Sequence, residues 1–205
     1  MPYNAPMEFL RYFLPVYFVS FVGLAFVWST YRTWKRTGIN PYKFDRTDSA
    51  HDFGGKVYRI MMLALAVVIG CYALAPPIYQ YFAPIVWLEN TYVRITAVCI
   101  LIAALFWIIT AQTHMSDSWR IGIDRDTKTP LIRRGLFRLS RNPVFLGMRL
   151  TLFGLFLVLP NAVTLAVFLV GDVLMQIQVR LEEEFLTASH GKEYSDYCDA
   201  VRRWV

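Results

Sequence analysis

The chain has 205 residues, of which 56% are hydrophobic and only 18% charged. A soluble domain of this length carries more charge and does not gather its apolar residues into long blocks, so the composition excludes a water-soluble globular fold and implies a polytopic membrane protein. In such a protein a net charge of +6 reports loop asymmetry and attraction to anionic headgroups, not nucleic-acid binding.

In chain order, residues 1–11 form a short tail. Residues 12–31 are uncharged and long enough to cross a bilayer, with Pro15 near the start where a helix tolerates it. This block is too long for a signal peptide and lacks a small-residue cleavage site, so it is read as a span. Residues 32–59 are rich in Lys and Arg and are expected to be a solvated connector. Their Gly54-Gly55 pair reads as a turn, without the flanking pattern of a phosphate cradle. Residues 60–75 form the second span, extended toward Tyr79, and Pro76-Pro77 should end or kink it. Tyr79, Tyr81, Phe82 and Trp87 make an aromatic cluster of interfacial type. Residues 93–111 are the third span, followed by a second basic loop over 114–142. Pro143 opens an apolar helix to Leu159, a turn follows at 159–162, and residues 162–177 form the last span. Its helix is predicted to continue through Arg180 into 182–189 and to stop at Gly191.

The expected fold is therefore all-α, a single membrane domain over 1–205 with about five transmembrane helices. Both basic loops and the C-terminal tail fall on one side. The positive-inside rule makes that side cytoplasmic and the N-terminus external. Residues 1–113 would supply scaffold and acceptor-facing surface, and residues 114–205 the reactive core.

Cys71, Cys99 and Cys198 show no CxxC spacing. His51, His114 and His190 lie far apart, so no metal site is expected. Three other constellations carry chemistry. Arg149 and Asp172 lie inside spans at similar distances from the Pro160 turn, so a hairpin brings them to one depth. They read as a structural lock or as a charged contact on a cavity. Arg141-Asn142-Pro143 sits where a basic loop enters a helix, and unpaired N–H groups there favour an anion. Glu182, Glu183 and Glu184 open the polar end of the last helix. Successive residues are splayed by about 100°, so one or two can face a cationic ligand while another is solvated. Salt bridges to Arg133, Arg134 or Arg138 are the plain alternative. An anion-friendly helix start beside an acid cluster suits the α-carboxylate, ammonium and sulfonium of S-adenosylmethionine.

The stretch from Gly135 through Phe137, Arg141, Asn142, Pro143, Phe145 and Gly147, then Glu182, Glu183, Leu186, Gly191, Tyr194 and Tyr197, resembles the integral-membrane methyltransferases. These are the isoprenylcysteine carboxyl methyltransferase and phospholipid methyltransferase families, and the resemblance covers the C-terminal half from Trp119. It implies an S-adenosylmethionine pocket under the cytoplasmic surface with a lateral opening for a lipophilic acceptor. It also implies cofactor contacts from Thr129, Pro130, Leu131 and Ile132, from Phe137, and from Arg141, Asn142, Pro143, Val144, Phe145 and Gly147, with Glu182 and Glu183 on the cationic side. The family's usual histidine is Asn142 here, which hydrogen-bonds but does not exchange protons near neutral pH. Phe137 and Phe145 stand where tyrosine is common. Arg180 is expected near the acceptor, and one of Glu182, Glu183 and Glu184, Glu183 foremost, as a candidate base for an amine or thiol acceptor. The expected setting is a multi-pass protein of a bacterial inner membrane or the endoplasmic reticulum, contacting the bilayer and a lipophilic acceptor. The rivals are an NADPH-dependent membrane reductase of sterol reductase type and a non-enzymatic scaffold.

Overall fold

The computed structural model describes residues 6–42, 49–121 and 130–205. Helix α1 (Pro6–Val22) passes without a break through π-helical turns at Gly23–Trp28 into α2 (Ser29–Thr37). The remaining helices are α3 (Ala50–Leu74), the short α4 (Pro76–Tyr79), α5 (Thr91–Met115), α6 (Pro143–Val158), α7 (Ala162–His190) and α8 (Lys192–Ala200). Among the described residues the only β pairing is two isolated bridges, Tyr42 with Ile121 and Pro84 with Asn161. The all-helical expectation agrees with this.

Among the described residues four helices are long and apolar enough to cross a membrane: Glu8–Thr37, Ala50–Leu74, Thr91–Met115 and Ala162–His190. The expected fifth span is α6, whose 16 residues reach ~24 Å at 1.5 Å per residue, short of a ~30 Å hydrocarbon core. The long helices leave Val16, Val19, Leu63, Val67, Phe106 and Val173 exposed, an apolar exterior suited to lipid.

Residues 32–59 correct the expected connector. Both ends are helical, because the polar residues here solvate helix termini instead of breaking them. Ser49 caps α3, its hydroxyl accepting from the Asp52 N–H at 3.1 Å. Gly54 and Gly55 lie inside α3 instead of turning it. A side chain at Gly54 would run into Gln178 of α7, so the glycine permits that approach.

Buried apolar faces hold the bundle together. Phe9, Phe13, Tyr17 and Phe21 recur every fourth residue and stack in a ladder with centroids 5.3, 5.8 and 6.4 Å apart. The Tyr17 hydroxyl donates to the Leu101 carbonyl at 3.0 Å, tying α1 to α5. At the α3 end, Pro77 has no N–H to give the Ala73 carbonyl, and the Arg11 Nε supplies it at 2.8 Å. The π-helical turns misalign backbone carbonyls, and Gln112, 1% exposed, answers them. Its Nε2 donates to Ala25 O at 2.7 Å while its Oε1 accepts from the Ser29 hydroxyl at 2.6 Å.

The two ends of the bundle are distinct. Asn161 closes the α6–α7 turn with a capping box on Thr164 and also donates to the Tyr79 hydroxyl at 3.3 Å. Tyr79 is therefore core, whereas Tyr81 and Trp87 are exposed. The Ile85 N–H donates to Pro160 O at 2.7 Å. At the other end the Ile121 N–H donates to Pro41 O at 2.9 Å, so the two basic segments meet there. The α6 start and the polar end of α7 lie at this end too, joined by contacts described below.

Within the α6–α7 hairpin Arg149 and Asp172 do pair, at 2.5 Å. Neither lines the main cavity, and the Arg149 guanidinium also lies 4.4 Å from the Trp204 ring. The pair is a lock for the hairpin.

Candidate active site

At the polar end of the bundle a cavity of about 940 Å³ opens between α2, α3, α7, the α6 start and α8. One part of its wall is apolar and aromatic, including Phe26, Tyr31, Trp34, Tyr58 and Met62. Another carries polar groups: Arg141, Asn142, Gln178 and Glu182. Gln178 is held by His51, whose Nδ1 shares a 2.9 Å hydrogen bond with its Oε1. Thr30 and Trp119 also line the cavity, and their buried Oγ1 and Nε1 have no partner among the described residues.

The motif loop is built on Gly135. Its φ of +60° is the left-handed region that disfavours a side chain, and a Cβ there would also meet the His114 ring. The turn brings the Leu136 N–H to His114 Nδ1 at 3.2 Å, with that ring nitrogen as the acceptor. A short 3₁₀ segment, Gly135–Arg138, then leads to α6. Asn142 precedes the first turn but its side chain does not cap it.

That side chain is used elsewhere. Asn142 Nδ2 donates to Glu183 Oε1 at 3.1 Å, and Arg141 Nε donates to the same oxygen at 3.3 Å. Arg203 donates to Glu183 Oε2 through Nε at 3.0 Å and Nη2 at 2.7 Å. Arg141 Nη1 reaches the Cys198 and Val201 carbonyls at 2.9 and 3.0 Å. Glu183 is thus buried with two guanidinium groups on one carboxylate. Its hydrogen bond holds the Arg203 pKa above the usual guanidinium value. Nearby, burial pushes the Tyr197 hydroxyl up to about 12, and that hydroxyl donates to Phe137 O at 2.6 Å.

The residues singled out in the sequence distribute as follows. Pro130, Leu131, Ile132, Phe137, Arg141 and Asn142 line the cavity, as do Pro143, Val144, Phe145 and Glu182. Glu183 stands behind this wall in the clamp. Gly147 faces α5, where a Cβ would meet Ile108. Trp107 Nε1 donates to Pro143 O at 2.9 Å beside it. Arg180 is exposed and donates to Gln176 O at 2.8 Å, away from the cavity. Thr129 lies outside the described residues. The splayed acids separate as helix geometry requires: Glu182 to the cavity, Glu183 to the clamp, Glu184 exposed. The salt bridges of Glu183 go to Arg141 and Arg203, not to Arg133, Arg134 or Arg138, and Arg133 pairs instead with Glu193 at 3.1 Å.

Sequence reasoning missed Arg203, Ser140, His51 and His114. The Arg202-Arg203 pair behind an acidic helix was the available signal for the first. Nothing in the spacing marks the other three.

An all-helical membrane protein with an apolar cavity, bounded at its polar end by an Arg-Asn-Pro helix start and an acidic helix, is the class that fold and site define. Residues 93–193 match the model of the phospholipid methyltransferase family. That stretch, just under half of the chain, is similar to the membrane methyltransferases of that family. No curated protein matches the chain at a significant level.

Proposed function

We propose that the cavity binds S-adenosylmethionine at its polar pole and a lipophilic methyl acceptor along its apolar wall. Glu182 carries the reading. It is the cavity-lining carboxylate, and it has neither an ion-pair nor a hydrogen-bond partner among the described residues. A cation from a ligand satisfies it. Arg141, which also lines the cavity, and the uncapped first turn of α6 would hold the ligand's carboxylate. The donor set therefore fits an amino-acid end with both charges. When bound, this cofactor supplies an electrophilic methyl whose thioether leaving group needs no proton.

The chain's own work is positioning and water exclusion. Tyr31, Trp34 and Val27 line the cavity and remain exposed at its outer edge, a route by which a lipid-borne acceptor reaches the site from the bilayer. A carboxylate acceptor needs no base. An amine or thiol acceptor needs one, and Glu182 is free for that role, whereas all the N–H donors around Glu183 commit its two oxygens. The described basic residues of both loops share this end of the bundle, which supports a cytoplasmic placement of the site. The family match favours methyl transfer over reduction or a scaffold role.

Calorimetry on detergent-purified protein, with NADPH as control, tests the reading. Micromolar S-adenosylmethionine binding that is lost in Glu182→Gln is expected. Binding of NADPH alone, or of neither ligand by well-folded protein, refutes it.

A further inference from the structure

The last residues of the chain do not trail away from α8; they are threaded back against the α6 start. Arg141 N–H donates to Arg202 O at 3.0 Å, and the Ser140 hydroxyl and Asn142 Nδ2 both donate to Arg203 O, at 3.2 and 3.4 Å. The Arg203 side chain returns the contact by holding Glu183 Oε2, while Oε1 serves Arg141 and Asn142. One carboxylate oxygen is thereby assigned to the tail and the other to the cavity wall. Trp204, stacked on the paired Arg149, anchors the strap one residue further on.

Two consequences follow from this division. Without Arg203, Oε2 has no partner and the carboxylate is free to rotate, so Arg141 and Asn142 lose their fixed acceptor. The charge also matters: two guanidinium groups around one carboxylate leave the cluster net positive beside the first turn of α6. That pole faces the place where a ligand's carboxylate would dock. Arg203 itself does not line the cavity.

We infer that Arg203 is a positioning residue for the amino-acid end of the cofactor, acting through Glu183 on Arg141 and Asn142. The inference rests on the methyltransferase reading above. It makes the C-terminal tail part of the site and not an appendage, although the tail lies beyond the matched stretch 93–193.

The test compares two ligands by calorimetry. S-adenosylmethionine has the amino-acid end, and methylthioadenosine has the same nucleoside and a thioether without it. Arg203→Gln should weaken S-adenosylmethionine about tenfold, the scale of a lost hydrogen bond to a charged group, and leave methylthioadenosine unchanged. Arg203→Lys should restore most of the difference. Equal loss for both ligands would show a merely structural role and overturn the inference, as would unchanged affinity for S-adenosylmethionine. If Arg203→Gln does not fold, Ser140→Ala, which loosens the tail by removing a hydrogen bond to Arg203 O, is measured in the same way, and an unaltered ratio of the two affinities overturns it. Wild-type protein that binds neither ligand refutes the methyltransferase reading itself, a separate result.

Discussion

Glu182 and Glu183 are neighbours on one helix, so their replacement by alanine changes helix propensity equally and isolates what each carboxylate does. Glu183→Ala strips the charge partner from Arg141, whose side chain is 11% exposed, and from Arg203, at 35%. Removing one member of a buried pair costs about 3–5 kcal/mol. Here the low end applies, because Arg141 keeps the Cys198 and Val201 carbonyls and Arg203 regains water. A loss of about 3 kcal/mol in a chain of 205 residues lowers the melting temperature by roughly 6–12 °C. Glu182→Ala removes a half-buried carboxylate that no described residue answers, so the melting temperature should not fall. Its effect should fall on S-adenosylmethionine affinity instead. The assay is thermal unfolding of both variants in one detergent, followed by calorimetric titration. If Glu182→Ala melts well below Glu183→Ala, or if both lose ligand without a difference in melting temperature, the division of labour argued here is wrong.

Gly135→Ala should destabilise by about 1–3 kcal/mol, because the left-handed backbone and the His114 ring both oppose a side chain; a melting temperature equal to wild type would refute that account of the motif loop. The Tyr197 hydroxyl has its pKa raised from 10.0 to about 12, with burial as the largest cause. A raised folded-state value means that the unfolded chain deprotonates first, so this contribution is intact below pH 10 and is lost as pH climbs to about 12. Tyr197→Phe should be less stable than wild type at pH 8 and should show a shallower decline through that window in a pH series of melting curves. Identical slopes would remove Tyr197 from the alkaline transition.

Composition and periodicity were enough for the coarse architecture of this chain. Long uncharged blocks have no soluble alternative, Pro143 and Gly191 mark a helix start and stop, and equal distances from the Pro160 turn bring Arg149 and Asp172 together. The meeting of the α6 start with the acid cluster was also legible, since a basic helix entry and an acidic helix end on one side of the bundle attract each other. Tertiary structure decided what spacing alone leaves open. Three adjacent acids point in three directions, and only the packing of α7 against the α6 start sends Glu182 to the cavity and Glu183 to the clamp. The polar stretch 32–59 reads as loop because its charges obscure helical ends that gain their stability from capping and from α7. Arg203 reaches Glu183 through a fold-back of the tail. That contact joins residues 20 and 61 positions apart, and no local pattern in a sequence encodes it.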